Sequence, residues 1–170
     1  MVTGDRSLSR TSRHVFGLAL AACLLVACGP SGPVPEGFLS YSEMRDEYDR
    51  TLDEFPVDLP FPEGVNPHPP LETQIVTDPE TTDLYEAGSG ESQAFAYWEC
   101  AWMVEVLKAN GAGERAERAL DMLESALDSD FYRLYYEDPE RVWELKVLGG
   151  ARNGDLRLLR EFAVGCHVDS

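Results

Sequence analysis

The sequence predicts a small all-α domain of four to five helices with a proline-rich strap in its N-terminal part. Apolar residues recur at three- and four-residue spacing in several separate segments, as is typical of amphipathic helices. Helix start signals precede these segments, and glycine or proline follows most of them. The one short β-compatible stretch, Thr73 to Thr77, lies among acidic and turn-forming residues. A helical class is therefore favoured.

The first helix is predicted over residues 41–54. Ser40 and Glu43 have the spacing of a capping box, in which each side chain accepts the backbone N–H of the other residue. Pro56 ends the helical pattern. The apolar residues that recur at helical spacing between these signals are Tyr41, Met44, Tyr48, Leu52 and Phe55.

The strap follows this helix. From Pro56 to Pro70, six of fifteen residues are proline. Because proline lacks a backbone N–H and favours extended structure, the segment is predicted to be a strap or an exposed loop. A central strand is excluded for the same reason.

The most apolar helix is predicted over Ala94 to Leu107, between the Gly-Ser-Gly sequence at 88–90 and a stop signal at 110–111. Glu99 and Glu105 are its charged interruptions. A helix that is apolar on two sides belongs in the middle of its domain. Its apolar side chains form two stripes, one of Phe95, Trp98 and Trp102 and the other of Tyr97, Ala101 and Val104.

Residues 113–128 are predicted to form an amphipathic helix that packs back on its neighbour as a helical hairpin. Its apolar face consists of Ala116, Leu120, Leu123 and Leu127, with charged residues opposite.

The C-terminal part contains three weaker signals. The aromatic run Phe131 to Tyr136 predicts a helical turn or a segment packed across the hairpin. Asp138 and Pro139 resemble an N-cap followed by proline at the first helical position, with a stop at Gly149-Gly150. Asp155 is predicted to cap a last helix that ends at Gly165.

The first 28 residues have the pattern of an export signal. Arg6, Arg10 and Arg13 precede thirteen uncharged residues, Val15 to Ala27. That run falls short of the roughly 20 apolar residues that span a bilayer. The ending Leu25-Val26-Ala27-Cys28 resembles the lipobox of bacterial lipoproteins, whose cysteine receives a diacylglyceryl group before the signal peptide is removed. An ordinary secretory signal is the alternative.

The resemblance implies a signal peptide over 1–27 and a lipid on Cys28 that holds the protein on the extracytoplasmic side of the cell membrane. Residues 28–39 then read as the lipidated cysteine and a flexible tether, because residues 29–37 are rich in glycine and proline without apolar periodicity. Residues 40–170 read as a single acidic helical domain.

Charge narrows the range of partners. Three of the fourteen basic residues and one of the thirty-one acidic residues lie in residues 1–27, so eleven basic and thirty acidic residues remain, a formal charge of −19. Such a surface repels nucleic acid, and no nucleic-acid partner is expected. The expected partners are the membrane, through the lipid, and an envelope protein or glycan.

Two cysteines remain beyond the lipobox, Cys100 and Cys166. In an exported domain such a pair is predicted to form a disulfide, which would join the terminal helix to the central one.

The sequence contains no catalytic, phosphate-binding or metal-binding motif, and no catalytic residue, metal or cofactor is predicted. His68 and His167 are predicted to be solvated. The acids at 128–130 and 137–140 are predicted to cap helices or to be solvated, with a calcium site or a sugar-binding face as the alternative. A cleft for a glycan or peptide is a hypothesis, with core packing as the alternative for aromatic residues. Its candidate lining is Trp98, Trp102, Tyr132, Tyr135, Tyr136 and Trp143.

Two functions are compatible with these observations. The first is a non-catalytic binding or accessory lipoprotein of the cell envelope. The alternative is a small hydrolase of envelope polymers that uses a carboxylate pair, one acid protonated and one ionised. A buried Glu99 or Glu105 that opens into an aromatic cleft would favour the hydrolase, whereas fully exposed acids and a filled interior would favour the binding protein.

Overall fold

The structure, a computed structural model, describes residues 37–74 and 84–168. It confirms the all-α prediction, with six α-helices in the described part instead of four or five. They are α1 (Tyr41–Asp53), α2 (Ser89–Lys108), α3 (Gly113–Ser125), α4 (Asp130–Tyr135), α5 (Gly149–Arg152) and α6 (Arg157–Phe162). Short 3₁₀ turns lie at Leu71–Thr73, Ala126–Asp128 and Ala163–Gly165, and a π-helical turn, Trp143–Leu148, leads into α5.

The predicted signal peptide, Cys28 and residues 29–36 of the predicted tether lie outside the described residues. Of the β-compatible stretch, Thr73 lies in a 3₁₀ turn and residues 75–77 lie outside the described residues. The described part contains instead a short antiparallel ladder between β1 (Phe38–Leu39) and β2 (Tyr85–Glu86), which the sequence did not predict. Two residues per strand carry too weak a pattern to be recognised.

α1 begins with the predicted capping box. The Ser40 N–H donates to Glu43 Oε2 at 2.8 Å, and the Glu43 N–H donates to Ser40 Oγ at 3.4 Å. Met44, Tyr48 and Leu52 are buried, as the helical spacing predicts.

α2 lies in the middle of the domain, as predicted. It packs against α1, α3, α4 and the 3₁₀ turn at Ala163–Gly165. Along its length the buried residues include Phe95, Trp98 and Val106, none of them more than 1% exposed. Because its neighbours cover it on several sides, α2 is the element on which the others are arranged.

The start of α2 differs from the prediction by five residues. It begins at Ser89 because the buried carboxylate of Glu47 accepts the backbone N–H groups of Gly88 and Gly90, at 3.1 and 2.9 Å. A negative charge at a helix N-terminus is favourable, and this contact holds in the helix a Gly-Ser-rich stretch of low helix propensity. Since Glu47 is distant in sequence, the local pattern did not reveal it.

The strap is irregular, as predicted, and α2 anchors it through aromatic donors. The indole N–H groups of Trp98 and Trp102 both donate to the carbonyl oxygen of Pro60, each at 3.0 Å. The Tyr97 hydroxyl donates to the carbonyl of Asn66 at 2.6 Å. These bonds satisfy buried polar groups on both partners, which is a condition for burying an indole or a phenol.

The C-terminal part corrects one prediction. Asp138 does accept the N–H groups of Val142 and Trp143, at 2.6 and 2.8 Å, but Pro139 lies in the preceding turn and does not start the helix. The helix also continues through Gly149-Gly150 and ends after Arg152, before Gly154 with φ +82°. Glycine has no stop function where its φ remains helical.

The last elements agree better with the sequence. Asp155 accepts the N–H of Arg157 at 3.1 Å, at the start of α6. Cys100 and Cys166 are joined in the structure with their Cα atoms 5.3 Å apart, which is the predicted pairing. In residues 37–74 and 84–168, no helix combines the length and the apolar character needed to cross a membrane.

Gly90 marks the closest approach of α1 and α2, and replacing it by alanine is expected to destabilise the domain. A Cβ there would lie 2.4 Å from the carbonyl oxygen of Met44 and 2.6 Å from the backbone nitrogen of Tyr48, so the helices would have to separate. Overpacking of this kind costs about 1–3 kcal/mol, measurable by urea unfolding.

Gly149→Ala is the matched control for this prediction. Gly149 is also helical, but its Cβ would meet only the carbonyl oxygen of Glu144, at 3.4 Å. Alanine at that site is expected to be neutral or stabilising by up to about 1 kcal/mol. Equal effects at Gly90 and Gly149 would contradict the close helix contact.

Candidate functional site

The structure does not bring the six candidate cleft aromatics together in one cleft. Trp98 and Trp102 are buried against the strap, and both bind Pro60 as described above. The Tyr135 hydroxyl donates to Glu91 near the start of α2. The remaining three candidates, Tyr132, Tyr136 and Trp143, lie next to one another.

These three residues belong to one aromatic array. The rings of Tyr132 and Tyr136 stack with their centroids 4.8 Å apart. Tyr136 contacts Trp143 at 6.1 Å, and Trp143 contacts Phe162 at 5.3 Å, both in tilted arrangements. Centroid distances of 4.5–7 Å are favourable for offset or tilted aromatic pairs. The array joins the segment after α4 to the π-helical turn and to α6.

A recess of about 410 Å³ opens over this array, and we call it the aromatic recess. Trp143 is buried at its base, whereas Phe162 is 47% exposed. Its residues combine apolar surface with three carboxylates: Tyr136, Glu137, Asp138, Pro139, Glu140, Val142, Trp143 and Phe162. A concave surface with aromatic walls and a few polar groups is typical of ligand sites.

Asp138 fixes the shape of the recess. Its carboxylate accepts the N–H groups of Val142 and Trp143, and it also accepts the Tyr132 hydroxyl at 3.1 Å. Partial desolvation alone would raise the pKa of Asp138, but these hydrogen bonds outweigh it and lower the pKa below its usual value. Asp138 therefore remains ionised at neutral pH.

Glu99 lies behind the recess. It is 5% exposed on α2, and its carboxyl is hydrogen-bonded to the Tyr136 side chain. Burial raises the pKa of Glu99 to about 8, against the smaller lowering effect of that hydrogen bond. Glu99 therefore keeps its proton at neutral pH, and burial together with the Glu99 carboxyl raises the pKa of Tyr136.

Glu105, the other buried acid of α2, has a different environment. Arg115 Nε donates to its Oε2 at 2.6 Å, and Lys108 Nζ lies 3.4 Å from its Oε1. These two cations compensate its burial. The contact between Glu105 and Arg115 joins α2 to α3, at some distance along α2 from Glu99. It lies beside another open recess, which includes Trp102 and Arg118.

The other acids and the histidines considered in the sequence analysis make contacts within the fold. Asp130 pairs with Arg133 at 3.3 Å, and Ser129 caps α4 by accepting the Tyr132 N–H at 3.2 Å. His68 is exposed at 3.6 Å from Asp53, and the backbone carbonyl of His167 accepts the Gln74 side chain. Within the described ranges, no three His, Cys, Asp or Glu side chains are arranged to hold a metal ion.

Phe162, Val142 and Pro139 were not among the sequence candidates for the cleft, although they line the recess. Phe162 is one of the apolar residues of the predicted last helix. Its position over Trp143 depends on how α6 packs against the π-helical turn, and no local pattern encodes that contact.

No protein-family model, curated protein or solved structure matches this chain. Its function must therefore be argued from the geometry of its own residues.

The buried Glu99 should make stability depend on pH. The carboxyl pKa is about 8 in the folded state against a reference value of 4.5. Between these values the folded state holds a proton that the unfolded state has lost, so stability falls as pH rises through this window, by up to about 1.4 kcal/mol per pH unit.

Glu99→Gln keeps the hydrogen-bonding shape and removes this titration. The variant is expected to gain stability relative to the wild type as pH rises from about 5 to about 8, measured by urea unfolding. Glu114→Gln removes one carboxylate from the exposed face of α3 and is the control for the change in charge. A pH-independent difference between the Glu99 variant and the wild type would contradict a buried neutral carboxyl.

Proposed function

We propose that the chain is a lipid-anchored lipoprotein on the extracytoplasmic side of the cell membrane and that its domain is a non-catalytic binding or accessory module of the cell envelope. The lipobox-like sequence ending at Cys28 supports the anchor. The observation that carries the binding role is the aromatic recess around Tyr136, Trp143 and Phe162.

The recess is better suited to binding than to catalysis. A carboxylate-dependent hydrolase needs a protonated acid and an ionised acid that both reach the substrate. Glu99 supplies a protonated acid, but it is not a lining residue of the recess, and its partner Tyr136 is. Asp138 is ionised, but both of its oxygens accept hydrogen bonds from the chain.

The hydrolase remains the second candidate because of Glu99 itself. Its raised pKa beside the lowered pKa of Asp138 is the pattern that acid–base catalysis uses. This function would require Tyr136 to move aside so that Glu99 could reach a substrate. Release of soluble fragments from isolated cell envelopes by the wild type, lost in Glu99→Gln, would favour it and contradict a non-catalytic role.

The binding role predicts a crosslink in intact cells. A photoreactive phenylalanine analogue replaces Phe162, and a second version carries it at Val57, which is 97% exposed in the strap. The same envelope component is expected to be captured repeatedly from position 162 and not from position 57. Mass spectrometry of the affinity-captured protein reads the result.

The anchor is tested in the same cells with Cys28→Ser. Loss of fatty-acid labelling and of membrane retention is expected, together with loss of capture at position 162 if the partner lies in the envelope. Unchanged labelling in Cys28→Ser would contradict the anchor.

Equal capture from positions 57 and 162 would contradict the recess as the binding site.

A further inference from the structure

We propose that the aromatic recess holds a lysine or arginine side chain from a basic, extended segment of a partner protein. The inference rests on the proposed binding role of this recess and adds the chemistry of its ligand. Four features carry it: the charge of the recess, its apolar surface, its hydrogen-bonding groups and the surface beside it.

The charge of the recess favours a cation. Three of its lining residues are acidic, Glu137, Asp138 and Glu140, and none of its described lining residues is basic. The adjoining Arg141 is paired with Glu144, with Nε to Oε2 at 2.6 Å, and also interacts with Asp138, but the three lining acids and Glu144 together outnumber this one cation. A phosphate, a carboxylate or a nucleic acid would be repelled here.

The apolar surface suits a side chain that has both a stem and a charge. Lysine and arginine bury their methylene groups against apolar surface while the charged end remains near water or a counter-charge. The Phe162 ring, 47% exposed, and the Tyr136 ring supply aromatic faces that attract a cation. The carboxylates of Glu137 and Glu140, both exposed, lie on the same lining.

Hydrogen-bonding groups favour a donor as the ligand. Carboxylates accept hydrogen bonds and donate none when ionised. The Tyr136 hydroxyl is already hydrogen-bonded to Glu99. An ammonium or guanidinium group brings several donors and a positive charge to this lining, whereas a neutral sugar brings hydroxyl donors without the charge.

The surface beside the recess favours a chain segment over a free amine. A second, more open recess is lined only by Tyr136, Glu137, Asp138 and Pro139, which also line the first, so the concave surface continues beside these four residues. An extended peptide can therefore place one basic residue over Phe162 and continue across the acidic surface. Alternating side chains of an extended segment point to one side, so every second residue can make this contact.

The test uses the purified full chain and a fluorescein-labelled peptide of alternating lysine and glycine, with binding measured by fluorescence anisotropy. The wild type is expected to bind it, and affinity should fall as salt rises. The same peptide with acetylated lysines keeps the methylene stems and loses the charges. Its affinity is therefore expected to be lower by a factor of about ten or more.

Two double variants of equal net charge distinguish binding at the recess from attraction by the acidic surface in general, and Phe162→Ala tests the aromatic contact. Glu137→Gln/Glu140→Gln is expected to weaken binding about tenfold, and Phe162→Ala to weaken it by a comparable factor. Glu114→Gln/Glu117→Gln, on the exposed side of α3, removes the same charge and should bind like the wild type.

Equal losses in the two charge variants, or equal binding of the acetylated peptide, would overturn the proposal. So would unchanged binding by Phe162→Ala with its fold intact by circular dichroism. The proposed binding role is judged separately, because capture from position 162 in cells does not depend on the charge of the ligand. Capture without lysine-peptide binding would leave the recess as a binding site and reject its basic ligand.

Discussion

The burial of α2 is the constraint on which the rest of the structure depends. Most of its residues from Phe95 to Val106 are buried against α1, α3 and the strap, among them Trp98 and Trp102. Such burial contributes about 25 cal/mol per Å² of apolar surface. It also obliges every polar group on the helix to find a partner, which explains the shared Pro60 carbonyl and the Glu47 contact at its start.

The two acids of α2 meet that obligation in different ways. Glu105 remains beside Arg115 and Lys108, whereas Glu99 keeps its proton and binds Tyr136. A charge buried without a partner costs several kcal/mol. The two cations therefore compensate the burial of Glu105, whereas the bound proton makes Glu99 neutral. The second solution connects the core to the recess, because Tyr136 contacts Glu99 on one side and lines the recess on the other.

Local patterns predicted most of the fold and little of the site. The capping box at Ser40, the amphipathic α3 and the Cys100–Cys166 pairing agree with predictions from spacing, residue type and the expected export. The early start of α2 and the helical glycines at 149 and 150 do not, because tertiary contacts decide them. The cleft hypothesis placed Tyr136 and Trp143 together with Trp98 and Trp102. The recess includes only the first two, because α6 packs Phe162 against Trp143, and local sequence did not reveal this contact.

Native-state hydrogen exchange tests the central role of α2 most directly. The backbone amides from Phe95 to Val106 are expected to exchange most slowly, with a free energy equal to that of global unfolding, while α6 exchanges through smaller openings. The same free energy should fall when Gly90 is replaced by alanine, because α1 then packs less closely. Faster exchange in α2 than in α3 or α6 would contradict a domain organised around this helix.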